Sequence, residues 1–439
     1  MREMKDSGIE WIGEIPKEWE IIRLCYLIDG YKAGPFGSAL IMDKLDDEGE
    51  ILVYTPETIA TRDTDLSTNK YLPDSRRQEM EQFFVEPGDI IFPIVGSLGR
   101  AMLIKKNMPE GIINQRLAKF HLSSDKITYP YFMRLFGQSS FFETYIELSC
   151  RGSIIVNLTK AILHDMPVPV PPIDEQKRIA AYLDAKCSEI NALTADIQSQ
   201  IDTLEQYKRS VITEAVTKGL NKNVEMKESG IEWIGDIPSA WATMPIKYNF
   251  TLVAGATPDS HNPDLWDGDV NWITPADFKT EDVYVKEGSR KLSEIGFKSC
   301  STSMIPAGSI IFSKRAPIGT VAINTTELCT NQGCLGLVKK SRGLDNKYYY
   351  YVLSIYPEVF NLFGSGTTFK EISATAFGEV SLPFPPVNEQ HRISTYLDAK
   401  CSEIDAVVET KKSQLATLDE YKKSNIYEYV TGKKEVPSV

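Results

Sequence analysis

The chain repeats itself. MKDSGIEWIGEIP (Met4 to Pro16) returns as MKESGIEWIGDIP (Met226 to Pro238), identical at 11 of 13 positions. PPIDEQKRIAAYLDAKCSEI (Pro171 to Ile190) returns as PPVNEQHRISTYLDAKCSEI (Pro385 to Ile404), identical at 15 of 20. The offsets are 222 and 214 residues, so the stretches between these anchors differ slightly in length. Such a period far exceeds the roughly 20–50 residues of solenoids and propellers and marks a duplicated domain. Weaker matches between the anchors stay collinear. Gly88-Asp89-Ile90-Ile91-Phe92 answers Gly308-Ser309-Ile310-Ile311-Phe312, Gly99 answers Gly319, Asn114-Gln115 answers Asn331-Gln332, and Gly152 answers Gly366.

Each unit has a front part and a long tail. The front parts mix short β-branched runs (DIIFPIV, AMLI, SIIF, TVAI) with helical stretches (YPYFMRLFGQSSFFETYIE, NKYYYYVLSIYPEVFNLF), which predicts an α+β domain. Each closes on a proline run, MPVPVPP or VSLPFPP, that cannot continue a helix or sit centrally in a sheet. A long helix follows, with Asp174 and Glu175, or Asn388 and Glu389, in its first turn, where the helix dipole favours negative charge. Its a/d ladder runs Leu183, Cys187, Ile190, Thr194, Ile197, Ile201, Leu204, Lys208, Val211, Ala215. The second copy gives Leu397, Cys401, Ile404, Val408, Lys411, Leu415, Leu418, Lys422. A ladder is first of all a packing seam, and the obvious partner for each helix is its own repeat. A dyad between the repeats makes the pair an antiparallel coiled coil, with Lys208, Lys411 and Lys422 as polar interruptions that set register. At 1.5 Å per residue the first helix spans roughly 60–65 Å. The division predicted is a globular domain at 1–170, a helix at 171–222, a second globular domain at 223–384 and a second helix at 385–439.

Chemistry is sparse. No GxxxxGK[ST] is present, and the Pro-Pro pairs at Pro171-Pro172 and Pro385-Pro386 lack the amide or carboxylate and the aromatic of an adenine methyltransferase motif. Pro263-Asp264 with Asp277-Phe278-Lys279 fits a loose nuclease pattern that the first unit lacks, and chance explains it better. The four histidines do not cluster with Cys, Asp or Glu. The expectation is therefore no catalytic site, no metal and no cofactor in this chain. Seven scattered cysteines without a CxxC, no apolar run of membrane length and no apolar leader lead us to expect a reduced, cytoplasmic protein without a membrane partner.

The loops are richer. YKAGPFGS (Tyr31 to Ser38) and AGATPDS (Ala254 to Ser260) are small-residue loops that admit close backbone approach, and Tyr54-Thr55-Pro56-Glu57 answers Ile273-Thr274-Pro275-Ala276. Taken singly these are ordinary turns; their recurrence at matched positions favours a binding role. Hydroxyl, amide and cationic side chains suited to phosphate, sugar and base edges stand at Lys32, Ser38, Thr55, Arg62, Arg100, Arg151, Ser153, Asn157 and Lys160. In the second unit they stand at Thr257, Ser260, Lys279, Lys314, Arg315, Thr367, Thr368 and Lys370. A net charge of −12 argues against tight DNA binding by the chain alone, because phosphate neutralisation supplies much of such affinity.

At these residues the chain resembles the specificity (S) subunits of Type I restriction-modification systems. The resemblance rests on W-I-G-x-I-P at Trp11 and Trp233, PP-x-x-EQ-x-RI at Pro171 and Pro385, and the globular–helix–globular–helix order. GxTP at Gly255, WITPADF at Trp272 and GSGTTFKEI at Gly364 add to it. It implies two target recognition domains, each reading half of a bipartite double-stranded DNA site. It also implies helices that space them and dock two modification (M) subunits. S-adenosylmethionine would sit in the M partner, and ATP and Mg in the restriction (R) subunits. The near-identical segments would then face partners, through Trp11, Glu175, Gln176, Arg178, Trp233, Glu389, Gln390 and Arg392. Half-sites one turn of DNA apart lie about 34–36 Å from centre to centre, a distance such a helix pair can span. The competing reading is a protein–protein adaptor that uses the coiled coil as a ruler.

Overall fold

A computed structural model of the chain describes residues 2–35, 40, 45–46, 48–61, 70–96, 100–137, 140–149, 158–280, 282–315, 317–364 and 370–437. The fold is α+β, two globular domains with two long helices. It divides into two compact units, Met1–Gln198 with Ser413–Val439, and Ser199–Lys412. Each unit therefore holds one globular head, the start of one long helix and the end of the other.

In the first head the run DIIFP becomes a strand (Asp89–Pro93) buried along its whole length, as β-branched residues covered on both faces should be. It lies inside a four-stranded antiparallel sheet ordered Ile28–Ala33, Leu117–Leu122, Asp89–Pro93, Met102–Leu103. Helices Tyr129–Gly137 and Ser140–Ser149 cover it, with Phe92 edge-on to Phe136 at 5.4 Å and Phe136 against Phe142 at 4.2 Å. A companion sheet orders Lys70–Leu72, Ile51–Tyr54 and Gly111–Ile113, its last pair parallel.

The second head follows the same plan. Its main sheet orders Phe250–Ala254, Cys334–Lys339, Ile310–Ser313 and Val321–Asn324, and adds Tyr284–Val285 in parallel at the edge. Its companion sheet orders Arg290–Leu292, Trp266–Ile273 and Cys329–Thr330, again with the last pair parallel. The proline runs become the strands Pro167–Val170 and Ser381–Phe384, each in a two-stranded sheet where both strands are edges and a missing N–H is tolerated.

The long helices run Ile173–Lys218 and Val387–Val430. Their ladders are buried as expected at Leu183, Cys187, Ile190, Ile197 and Ile201, and at Leu397, Cys401, Ile404 and Val408. The lysines on the ladders all find a polar partner on the facing helix. In the first unit Lys422 Nζ donates to Asn191 Oδ1 (2.7 Å), and the Tyr182 and Tyr429 hydroxyls lie 3.2 Å apart. In the second unit Lys411 Nζ donates to Gln200 Oε1 (2.5 Å) and Lys208 Nζ to Asp405 (2.6 Å). In both, numbers rise along one helix as they fall along the other, so the pairing is antiparallel. Both helices stop at a left-handed glycine, Gly219 (φ 74°) and Gly432 (φ 72°), the conformation that favours glycine after a last turn.

The nearly invariant PP-x-x-EQ segments have an internal use. Trp19, fully buried, donates through Nε1 to Glu175 Oε2 (3.0 Å), and Trp241 does the same to Glu389 Oε2 (2.9 Å). Gln176 is 0% exposed; its amide donates to the Lys126 and Pro171 carbonyls and accepts from Thr128 N–H. Gln390, also 0% exposed, donates to Pro385 O and accepts from Asp345 N–H. Glu175, Gln176, Glu389 and Gln390, expected to face partners, are thus bonded within their own units. A buried polar group must be hydrogen-bonded, as Glu175, Gln176 and Gln390 are, and with half-buried Glu389 they fasten each helix start to its own head. Trp11 and Trp233 are half-buried on head residues, Trp11 on Phe141 (4.7 Å) and Trp233 on Tyr356 (4.5 Å). Of the eight, Arg178 and Arg392 are the exposed ones.

Candidate nucleic-acid interface

In each head, loops far apart in sequence converge where the two sheets meet. The second head shows it most fully. The Asn331 side chain closes a tight turn by accepting from Gly333 N–H (2.9 Å), while its own N–H donates to Ile273 O (2.9 Å). Lys314 N–H donates to Gly333 O, and Ile372 N–H to Lys314 O, so the segments around 314, 333 and 371 lie side by side. Thr257 meets this turn through a hydroxyl hydrogen bond to Gln332 Oε1 (2.5 Å). The loop carrying Thr257 is held by two tryptophans, Trp272 donating to Ala256 O and Trp266 to Asp259 O, both at 3.0 Å.

The first head repeats the frame. Asn114 accepts from Arg116 N–H (3.0 Å) and donates its own N–H to Tyr54 O; Ile94 N–H donates to Arg116 O, and Leu158 N–H to Ile94 O. The glycines read as room for a ligand serve the chain itself. A Cβ on Gly34 would stand 1.9 Å from Asn114 O, and one on Gly255 2.0 Å from Thr330 O. Only glycine allows that approach.

Charge at the convergence is paired. Lys314 Nζ and Arg315 Nε both bond Glu371, each at 2.7 Å. Partial burial pushes the Glu371 carboxyl up, but hydrogen bonds from Lys314 and Arg315 outweigh it and hold it below the usual carboxylate range. Arg116 Nη1 lies 3.2 Å from Glu57 Oε1. Burial also raises Glu57, and its backbone N–H, Thr55 and Arg116 together bring it below its ordinary value.

The residues singled out from sequence scatter around this frame. Thr257, Lys314 and Arg315 are brought together, and exposed Lys370 precedes Glu371. Thr55 sits beside the Asn114 turn with its hydroxyl 3.3 Å from that of Thr58. Lys32 reaches Gln82 (2.5 Å) and the Phe83 ring, and Lys160 lies over Tyr31. Arg100 and Ser260 are exposed, and exposed Lys279 follows a capped turn, its N–H on Asp282. Ser38, Arg62, Arg151, Ser153, Asn157, Thr367 and Thr368 lie outside the described residues. Arg116, Gln332, Glu57 and Glu371 were not among the site residues expected from sequence. Gln332, Glu57 and Glu371 stand in the matched or family-like segments, but the pairing of Glu371 with Arg315, 56 residues away, leaves no local signal.

Asp277, half of the loose nuclease pattern, is a capping residue. Its Oδ2 accepts from the Thr274 N–H and hydroxyl, and its Oδ1 from Ser289 N–H. Among the described residues no group of three or more His, Cys, Asp or Glu is placed to hold a metal ion, and no helix is long and apolar enough to cross a membrane.

A model of the Type I restriction modification DNA specificity domain matches the chain twice, over residues 16–203 and 238–431. The chain belongs to that family. It is a non-catalytic specificity subunit, and its heads are DNA-reading target recognition domains. The putative type I restriction enzyme MjaX specificity subunit of Methanocaldococcus jannaschii is 26% identical over 434 residues, 96% of this chain and 95% of that one. The MjaIX specificity subunit of the same organism is 36% identical over 198 residues, 44% of each chain. A solved chain from work on complex assembly and conformational transition of the type I R-M system superposes with a TM-score of 0.71 at 17% identity. It covers 96% of this specificity subunit and 99% of the solved chain, a likeness of fold.

Proposed function

We propose that the subunit recognises a bipartite double-stranded DNA site, the head within 1–170 reading one half and the head within 223–384 the other. The segments 171–222 and 385–439 form the helical spacer and dock two M subunits, with R subunits joining the assembly. S-adenosylmethionine belongs to the M partner and ATP and Mg to the R partner; the complex works in the cytoplasm. One observation carries this reading: the same loop frame occurs in both heads with different side chains on it, as two readers of different half-sites require. The helices suit a spacer, since 46 residues span about 69 Å at 1.5 Å each. The net charge of −12 fits a reader whose partners supply part of the phosphate contact.

The test is a head exchange. Replacing residues 223–384 by the corresponding head of the MjaX relative, with the M partner co-expressed, should change one half of the methylated motif and keep the other. A change in both halves, or in neither, overturns the assignment. The chain alone should bind DNA weakly and lose it with salt, and gain site-specific binding when M is added. Tight specific binding that M does not improve would overturn that dependence.

A further inference from the structure

The two heads differ in one ordered way on their shared frame. Backbone pairing sets Ile94 of the first head against Lys314 of the second, since each donates its N–H to the third residue of the Asn-Gln turn and accepts from the last crossing segment. The neighbouring positions follow: Val95 corresponds to Arg315, and Arg116 to Gly333. Each head thus carries one arginine here, and the two stand on neighbouring, non-equivalent segments. Arg116 is 46% and Arg315 43% exposed at the side chain. Each is gripped at one edge by a carboxylate from another loop, Arg116 by Glu57 and Arg315 by Glu371.

Resting on the two-half reading above, we propose that Arg116 and Arg315 are the specificity-determining side chains of their heads, each reading a guanine. The guanidinium has five donors in a planar fork, and a guanine offers O6 and N7 side by side in the major groove. The Glu371 bond occupies Arg315 Nε and leaves its Nη donors for the base. In the first head Glu57 takes Nη1 of Arg116. A carboxylate at one edge fixes the plane of the fork before DNA arrives, so less side-chain freedom is lost on binding. Glu57 and Glu371 are therefore positioning residues. Moving the arginine by one segment, about 4.8 Å between paired strands, places the guanine at a different offset in each half.

The chain is co-expressed with its M partner in a host free of related systems, and methylated bases are sequenced. The wild-type motif should hold a guanine in each half. Arg116→Gln should make that position degenerate in one half only, and Arg315→Gln in the other half only, each preference falling roughly ten- to a hundredfold. Glu371→Ala should relax the same position as Arg315→Gln, while Glu371→Gln, which still accepts from Nε, should preserve it. Either arginine variant keeping the full motif, or weakening every position alike, overturns the proposal. Where methylation falls below detection, selection from randomised duplexes by the purified complex reads the same preferences under the same criteria. A wild-type motif that is not bipartite refutes the two-half reading and this inference together; a bipartite motif indifferent to both arginines refutes this inference alone.

Discussion

In the first head the Asn-Gln turn ends in Arg116 and its neighbour carries Ile94 and Val95; in the second the turn ends in Gly333 and its neighbour carries Lys314 and Arg315. Beneath this difference the strand orders match, the turn is closed by the same asparagine bond, and the same tryptophan–glutamate contact fastens each head to its helix. Duplication has kept the frame and moved the cations. That is what a pair of readers needs, since backbone geometry must hold the DNA face steady while a few side chains choose the sequence.

The largest expected effect tests whether the two joints are equal. Trp19→Ala and Trp241→Ala each remove a fully buried indole and should each cost about 3–5 kcal/mol in urea denaturation, although Glu175 keeps its Arg2 ion pair after the first change while Glu389 loses its indole donor. A cost under half of that in one unit would show the joints to be unlike. The next contrast is sharper. Tyr131 donates near both Pro169 O and Val430 O, whereas Tyr348 donates to Val216 O. Tyr131→Phe should cost about 1–3 kcal/mol and Tyr348→Phe about 1 kcal/mol, and the reverse order would break the comparison.

Acid should separate the loop clusters more gently. The Glu371 carboxyl is depressed in the folded state, so its contribution is complete above the ordinary carboxylate value of about 4.3 and fades as pH falls through the lowered one. Glu371→Gln should therefore lower stability at neutral pH and flatten the acid limb of the unfolding profile. Glu57→Gln should do the same more weakly, because Glu57 is 67% exposed at the side chain. An acid limb unchanged by Glu371→Gln would deny the clamp. Smallest of all, Arg178→Glu and Arg392→Glu lie on exposed helix surface and should alter stability by no more than about 0.5 kcal/mol. Co-purification with M reads their docking role; unchanged capture by the double variant would remove them from that surface.

Much of the frame was legible because periodicity reports burial. The a/d ladders and the Asp89–Pro93 and Ile310–Ser313 runs each carry their own local pattern. The near-identity of PP-x-x-EQ was visible too, but not its direction. A glutamine on a helix start looks solvated until Thr128 or Asp345, distant in sequence, supplies the N–H that it accepts. The arginine–carboxylate pairs were hidden for the same reason, since partners 56 or 59 residues apart leave no local trace.

The split composition of the first unit has a consequence in time. The second unit is the unbroken stretch Ser199–Lys412, whereas the first needs Ser413–Val439 to cover its head, down to the Tyr427 hydroxyl on Trp11 O across 416 residues. On the ribosome, the head that emerges first waits longest for its last contacts, and the head that emerges second can close before it. During synthesis the apolar ground of Trp11, Tyr131 and Tyr182 stays uncovered by the second helix until that helix arrives. Any chaperone engaged by this chain should therefore be found on its earlier half.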